Sequence, residues 1–206
     1  MCKLQNTEAV SLDMADADSV RELASSIGGK IDILINTAQY VRPGSAMERR
    51  DLVTARDEME VNYFGPLRLL QALGPAMRAR GADGANSATA WVNCLSIFAL
   101  ANRPAFGLTS ASQAAALSLS QNARAEFVGS GVKVVNVFHG PIDDEWSQPL
   151  PAPKVTPKKL TGDVMYALRK GLEDVCSGDI ANDIYDRWRE NPALLERELT
   201  LTNLAD

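Results

Sequence analysis

The sequence predicts an α/β fold in which helices cover both faces of a parallel sheet. Three apolar runs with little polar alternation, at 31–35, 90–95 and 132–138, are typical of strands buried on both faces. Segments with helical spacing of apolar residues separate these runs, and alternating strands and helices specify a parallel sheet joined by right-handed crossovers. A chain of 206 residues, 46% hydrophobic and 23% charged, suits one such domain.

Four predicted elements make up the first half of the chain. They are a short strand at 8–12, a helix at 17–27, a strand at 31–35 and a long helix at 52–80. The first helix follows an Asp16 or Asp18 cap and ends at two glycines. We expect the long helix to break or bend at Gly65 and Pro66, because proline lacks a backbone donor.

The second half continues this alternation and ends in helices. Its predicted elements are a strand at 90–95, a helix at 110–128, a strand at 132–138, a helix at 158–172, a short strand at 174–176 and a helix at 180–199. Four prolines between residues 149 and 157 preclude regular structure and predict a connector. Asn191 and Pro192 are expected to interrupt the last helix.

Composition argues against several classes of protein. The net charge of −5 is opposite to the basic surface of a nucleic-acid binder, and no apolar run is long enough to span a membrane. The cysteines Cys2, Cys94 and Cys176 lie far apart, which predicts free thiols, and a single histidine, His139, argues against a metal site. With no signal-peptide pattern at the start, we expect a cytoplasmic protein without metal, nucleic acid or membrane contact.

The most informative stretch is residues 91–121. A buried strand ends at Ser96, Thr109 follows thirteen residues later, and Gln113 lies four residues further on, within TSASQAA. This order resembles the catalytic segment of the short-chain dehydrogenase/reductase family, where a strand ends in Ser and a Y-S-A-S-K-A-A helix follows. Thr109 therefore stands at the position of the family's Tyr, and Gln113 at that of its Lys.

Shorter matches to the same family occur elsewhere in the chain. Asp13, in LDMAD, resembles an Asp that lies beside the adenine of the cofactor, and Asn62, in VNYFG, resembles the Asn of a proton relay. Asn36 begins NTAQ, against N-N-A-G in the family, so Gln39 replaces a glycine where a side chain would intrude. Asp144 stands where members of the family have a Thr, which bonds the carboxamide of the cofactor's nicotinamide ring.

The resemblance, over roughly residues 8–180, implies a Rossmann-like doubly wound sheet. A βαβ unit needs about 30 residues, and few precede Asp13, so we expect one domain over 1–206 that lacks the family's first βαβ unit. The 149–157 connector leads to its C-terminal helices. The sequence has no Gly-rich phosphate fingerprint after a strand. We therefore expect no bound cofactor, and degenerate cofactor positions at Asp13, Asn36, Gln39 and Asp144.

The resemblance also implies a hydride transfer, in which Tyr is the general acid/base and Lys lowers its pKa. Ser bonds the substrate oxygen, and Asn completes the relay. An aliphatic hydroxyl such as Thr109 is a far weaker acid than a phenol, whose pKa is about 10, and Gln113 carries no charge. We expect none of the four positions to be catalytic, and expect Ser96 and Asn62 to make only structural hydrogen bonds.

Three other residues are candidates for a substitute acid. Tyr40 and Tyr63 each lack a lysine four residues on, and Tyr63 is expected to pack against a neighbouring helix. His139 follows a strand at the expected cleft and would titrate near neutrality if solvated. A polar loop residue is the simpler interpretation of His139.

Two functions remain open. The first is a non-catalytic subunit that supports an active, paralogous NAD-dependent alcohol dehydrogenase of 3-hydroxyacyl type in a hetero-oligomer. The second is an oxidoreductase acting on an alcohol or ketone with NAD(P), either as part of a longer reading frame or with unorthodox residues. The apolar positions of the 110–128 helix exceed one buried stripe. We therefore expect an oligomer, homomeric or, as we favour, heteromeric, whose main contact is made by the helices at 52–80 and 110–128, with Ala115 and Ala116 at the interface.

Overall fold

The computed structural model contains a four-stranded parallel sheet with helices on both faces; it describes residues 6–47, 49, 51–83, 89–145, 147, 150 and 152–202. The strands, in spatial order, are β1 (Ile33–Asn36), β2 (Ala90–Ser96), β3 (Lys133–His139) and β4 (Asp174–Ser177). The helices are α1 (Ala17–Ile27), α2 (Val53–Met59), α3 (Gly65–Gly81), α4 (Gly107–Glu126), α5 (Pro157–Lys170), α6 (Asp179–Glu190) and α7 (Pro192–Thr202). The predicted α/β, Rossmann-like fold is confirmed.

Different helices cover the two faces of the sheet. On one face, α1, α3 and α4 pack over Trp91 and Val134, while α6 and α7 contact the strand ends near Phe138. On the other face, α5 packs over Val92 and Val135. Burial on both faces explains why most residues of β2 and β3 are apolar.

A chain of buried and part-buried hydrogen bonds fixes α4 on the sheet. Asn93 Nδ2 donates to Ser120 Oγ at 3.1 Å, and Ser120 Oγ donates to Asn136 Oδ1 at 2.5 Å. Asn136 Nδ2 donates to Asp174 Oδ1 at 2.9 Å. Because α4 carries the positions of the family's Tyr and Lys, this chain also sets where those positions lie.

The predicted strand at 8–12 is wrong. These residues form no strand in the described sheet, and Val10 and Leu12 are 53% and 37% exposed. A strand needs a hydrogen-bonded neighbour, and within the described residues the sheet ends at β1. Ile33 and Ile35 of β1 are accordingly 44% and 46% exposed.

The long helix is not broken at Gly65 and Pro66, but it changes from π-helical to α-helical at Gly65. A π-helical turn, Glu60–Phe64, joins α2 to α3, and the Gly65 amide donates to the Glu60 carbonyl five residues back. The wider turn accommodates Pro66, which lies in the first turn of α3, where its missing donor costs least. A Cβ on Gly65 would lie 2.9 Å from the Met14 Cβ, so the glycine permits this close approach.

Other predictions need smaller adjustments. Helix α4 begins at Gly107, three residues early, and α6 and α7 are interrupted at Asn191 as expected. Cys94 and Cys176 are free thiols, and burial raises their pKa values to about 11 and about 12. Cys2, residues 84–88, Pro149 and Pro151 lie outside the described part. No helix in the described part is both long and apolar enough to cross a bilayer.

Candidate functional site

The four family catalytic positions come together beneath the C-terminal edge of the sheet. Asn62 lies in the π-helical turn, Ser96 at the end of β2, and Thr109 and Gln113 one turn apart on α4. Asn62, Thr109 and Gln113 are no more than 2% exposed, and Ser96 is 8% exposed. The sequence therefore identified a real cluster, whose geometry decides what it can do.

Ser96 and Gln113 are bonded to one another. Gln113 Oε1 accepts a hydrogen bond from the Ser96 backbone amide at 3.0 Å. Ser96 Oγ accepts from the Phe98 amide at 3.2 Å and caps a short 3₁₀ turn, Ile97–Ala99. Each of these two side chains thus accepts a hydrogen bond from a backbone amide.

Thr109 is bonded to a residue that sequence reasoning missed. Its Oγ1 donates to Glu58 Oε1 at 3.0 Å. Glu58 lies in α2, four residues before Asn62, so the two residues share one helix face. That spacing was the available signal, because a carboxylate on the face that carries Asn62 must point into the same cluster.

Glu58 is a fully buried ionisable group within this cluster. It is 0% exposed, and its Oε1 also accepts a hydrogen bond from the Arg42 amide at 2.8 Å. Its Oε2 is buried without a hydrogen-bond partner. Burial raises the pKa of Glu58 above its ordinary value, and the two hydrogen bonds and the Arg49 charge only partly oppose this.

Asn62 holds the chain segment that follows β1. Its Oδ1 accepts from the Tyr40 amide at 2.8 Å, and its Nδ2 donates to the Tyr40 carbonyl and to Ser112 Oγ, both at 2.9 Å. The Tyr40 hydroxyl accepts from Arg42 Nε. The Tyr63 ring packs on Phe64. All three hydrogen bonds made by the Asn62 side chain therefore go to structural partners.

Gln39 and His139 meet at the C-terminal edge of the sheet. Gln39 Nε2 donates to the Cys94 carbonyl at 3.0 Å and lies 2.9 Å from His139 Nε2. His139 Nδ1 lies 2.7 Å from the Gly140 carbonyl, which can only accept, so Nδ1 carries the proton and Nε2 accepts from Gln39. Gln39 thus places a side chain where the resembling motif has glycine.

The interpretation of His139 as a polar loop residue is wrong. It is the last residue of β3 and is 3% exposed. Burial lowers its pKa, although the hydrogen bond to Gly140 and the charge of Asp144 oppose this effect. His139 is therefore neutral at pH 7.

The remaining cofactor positions form local turns. Asp13 Oδ1 accepts from the Ala15 amide, Asn36 Oδ1 from the Ala38 amide, and Asp144 Oδ1 from the Ser147 amide. The cap of α1 is Asp16, whose carboxylate accepts from the Asp18 amide. The predicted cap at Asp16 is therefore confirmed.

A model of the short chain dehydrogenase family matches residues 2–154. The chain belongs to this family. A fungal relative, the short-chain dehydrogenase ptmH of Penicillium ochrochloron, is 28% identical over 69% of this chain and 52% of its own length. A fatty acyl-CoA reductase of Mycobacterium tuberculosis is 30% identical over 67% of this chain and 43% of its own. The chain thus spans about half the length of these curated relatives.

Solved structures of the family superpose on the fold. A short chain dehydrogenase from Burkholderia cenocepacia, in complex with NADP, is 36% identical, with a TM-score of 0.84 over 92% of this chain and 77% of that one. A short-chain dehydrogenase from Streptomyces avermitilis is 25% identical, with a TM-score of 0.77 over 98% and 82%. This chain therefore keeps the family fold, and its Thr109 and Gln113 make buried hydrogen bonds within that fold.

Proposed function

We propose that this chain is a non-catalytic short-chain-dehydrogenase subunit that stabilises an active, NAD-dependent paralogue in a hetero-oligomer. One observation carries the proposal. The residues at the positions of the family's acid/base and its activator, Thr109 and Gln113, make buried structural hydrogen bonds to Glu58 and to the Ser96 amide. Neither residue presents an ionisable group to a substrate.

The C-terminal edge of the sheet supports the same proposal. Ligands of open α/β sheets bind in the crevice outside this edge. Here the Gln39 side chain lies against it, bonded to the Cys94 carbonyl and to His139. A dinucleotide would have to displace that side chain and break two hydrogen bonds.

The purified chain is expected to bind neither NAD nor NADP with micromolar affinity. Isothermal titration calorimetry measures this, with the Burkholderia cenocepacia protein, whose structure holds NADP, as the positive control. Micromolar affinity for either dinucleotide would contradict the proposal and favour an oxidoreductase acting on an alcohol or ketone. Gln39→Gly is the matched variant, because it removes the obstructing side chain and keeps the remaining residues.

The surface of α3 and α4 supports the oligomeric part of the proposal. A groove of about 690 Å³ runs between α3 and the C-terminal end of α4, and beside it Val128 is 76% exposed. On α4, Ala111 and Ala114 are exposed. Small residues let a second helix approach closely, and the exposed Val128 adds apolar surface that a protein partner could cover.

Ala114→Glu is expected to dissociate the oligomer without unfolding the chain, because it places a charge on the exposed face of α4. Sedimentation velocity of the complex purified from the native host measures the change. Ala116, expected at the interface, is 6% exposed in the domain's own core and is unsuitable for this test. Ala193→Glu, an exposed alanine on α7, is the control. A wild-type chain that sediments as a stable monomer would contradict the proposal.

Mass spectrometry of the same complex identifies the partner. A short-chain dehydrogenase that retains the Tyr and Lys of the family motif is the expected companion. Recovery of this chain only with itself would leave a homo-oligomer and remove the hetero-oligomeric part of the proposal.

A further inference from the structure

The loop between β1 and α2 lies against the C-terminal edge of the sheet, and side chains hold it there at several points. Gln39 bonds the Cys94 carbonyl, the Tyr40 backbone bonds Asn62, and the Arg42 amide bonds Glu58. Further along, the Gly44 amide donates to the Ala105 carbonyl at 2.8 Å. Residues 39–43 thus form a short strap, anchored by Gln39, Asn62 and Glu58 before the attachment at Gly44.

The Glu58 anchor differs from the others because its carboxyl group is bonded on one side only. Oε1 accepts from the Arg42 amide and from Thr109 Oγ1, at 2.8 and 3.0 Å. Oε2 is buried with no partner, in a residue that is 0% exposed. A buried carboxylate with an unpaired oxygen is costly, whereas the neutral acid avoids most of this cost.

We propose that Glu58 is a proton-controlled latch, which holds the 39–43 strap closed when protonated and releases it when ionised. Ionised Glu58 needs a partner for Oε2, and water supplies one once the strap opens. Release also withdraws Gln39 from Cys94 and His139 and exposes the edge at which α/β sheets bind ligands. Protonation of a single buried carboxyl group would thus control access to that edge.

The charges around Glu58 agree with this direction. Burial is the largest influence and raises its pKa, while the Arg42 and Thr109 hydrogen bonds and the Arg49 charge lower it by less. Arg49 itself bonds the Arg42 and Pro43 carbonyls and Thr54 Oγ1, so it links the strap to α2. From α4, the group that faces Glu58 in the described part is the uncharged Thr109 hydroxyl.

The equilibrium between the closed and the open strap depends on pH because the two forms bind the Glu58 proton with different affinity. The closed strap binds the Glu58 proton more tightly than the open strap, in which the pKa is near the ordinary 4.5. The stabilisation of the closed form is therefore complete below that value and is lost as pH rises toward the pKa of the closed form. The closing equilibrium falls about tenfold for each pH unit in that window.

Amide hydrogen exchange measured by NMR tests the latch in the full chain. We expect the protection of the Arg42 amide, corrected for intrinsic exchange, to fall about tenfold per pH unit above 4.5 until Glu58 has ionised. The Gly44 amide, bonded to Ala105, is expected to keep its protection and serves as the internal control. In Glu58→Gln, which keeps the acceptor oxygen but cannot ionise, Arg42 protection is expected to be independent of pH.

Asp57→Asn is the matched control, because Asp57 is an exposed carboxylate beside Glu58 on the same helix and its removal should leave the wild-type profile. In the wild-type chain, the carboxyl ¹³C shift of Glu58 is expected to titrate above 4.5. A titration at or below that value would overturn the proposal without need of any variant. Identical Arg42 profiles in the wild type and Glu58→Gln would overturn it as well.

Discussion

Replacing Thr109 by Tyr together with Gln113 by Lys is expected to create no NAD-dependent alcohol dehydrogenase and to lower stability by about 2 to 6 kcal/mol. The Tyr ring would need the space that Glu58 occupies, because Thr109 is 1% exposed and in hydrogen-bond contact with that carboxyl group. Lysine has donors and no acceptor, so the Ser96 amide would lose its bond to Gln113 Oε1. Thermal unfolding and an NAD reduction assay with secondary alcohols measure the two effects.

A third substitution separates crowding from loss of the hydrogen bond. Adding Glu58→Ala to the double variant removes the carboxyl group next to the new ring, and it is expected to restore part of the lost stability and no activity. Measurable alcohol oxidation by the double variant would show that only the catalytic pair had been lost, and would refute the proposed non-catalytic role.

Asn62→Leu is expected to reduce the free energy of unfolding by about 3 to 5 kcal/mol, because three buried or part-buried polar groups lose their bond to Asn62, at about 1 to 3 kcal/mol each, although one of them keeps a second bond, to the Thr109 carbonyl. Those partners are the Tyr40 amide, the Tyr40 carbonyl and Ser112 Oγ. Asn62 is 2% exposed, so water replaces none of these bonds without local opening. Urea unfolding followed by circular dichroism measures the loss.

Ser112→Ala is the matched control, since it removes a single partner and leaves Asn62 bonded to Tyr40. Its expected cost is about 1 kcal/mol. If Asn62→Leu costs no more than Ser112→Ala, then Asn62 does not hold the strap, and its hydrogen bonds in the structure are incidental to stability.

The sequence determined the architecture and the four family positions of the site, because both depend on local chemistry. Continuous apolar runs marked β2 and β3, and the spacing of apolar residues, with the Asp16 cap, marked α1 at its observed bounds, Ala17–Ile27. The four-residue spacing of Thr109 and Gln113 placed both on one face of α4. These features are set by periodicity along the chain, which a sequence displays directly.

Only the tertiary structure decided which partners those residues have. Glu58 and Thr109 are 51 residues apart, and Gln39 and His139 are 100 apart, so their contacts depend on how α2, α4 and the sheet pack. Residues 8–12 have a strand-like sequence, yet they form no strand, because strand formation depends on a neighbour that no local pattern reveals. The unpaired oxygen of Glu58 likewise arises from enclosure by α4 and the 39–43 strap, a property of packing that has no signature in the order of residues.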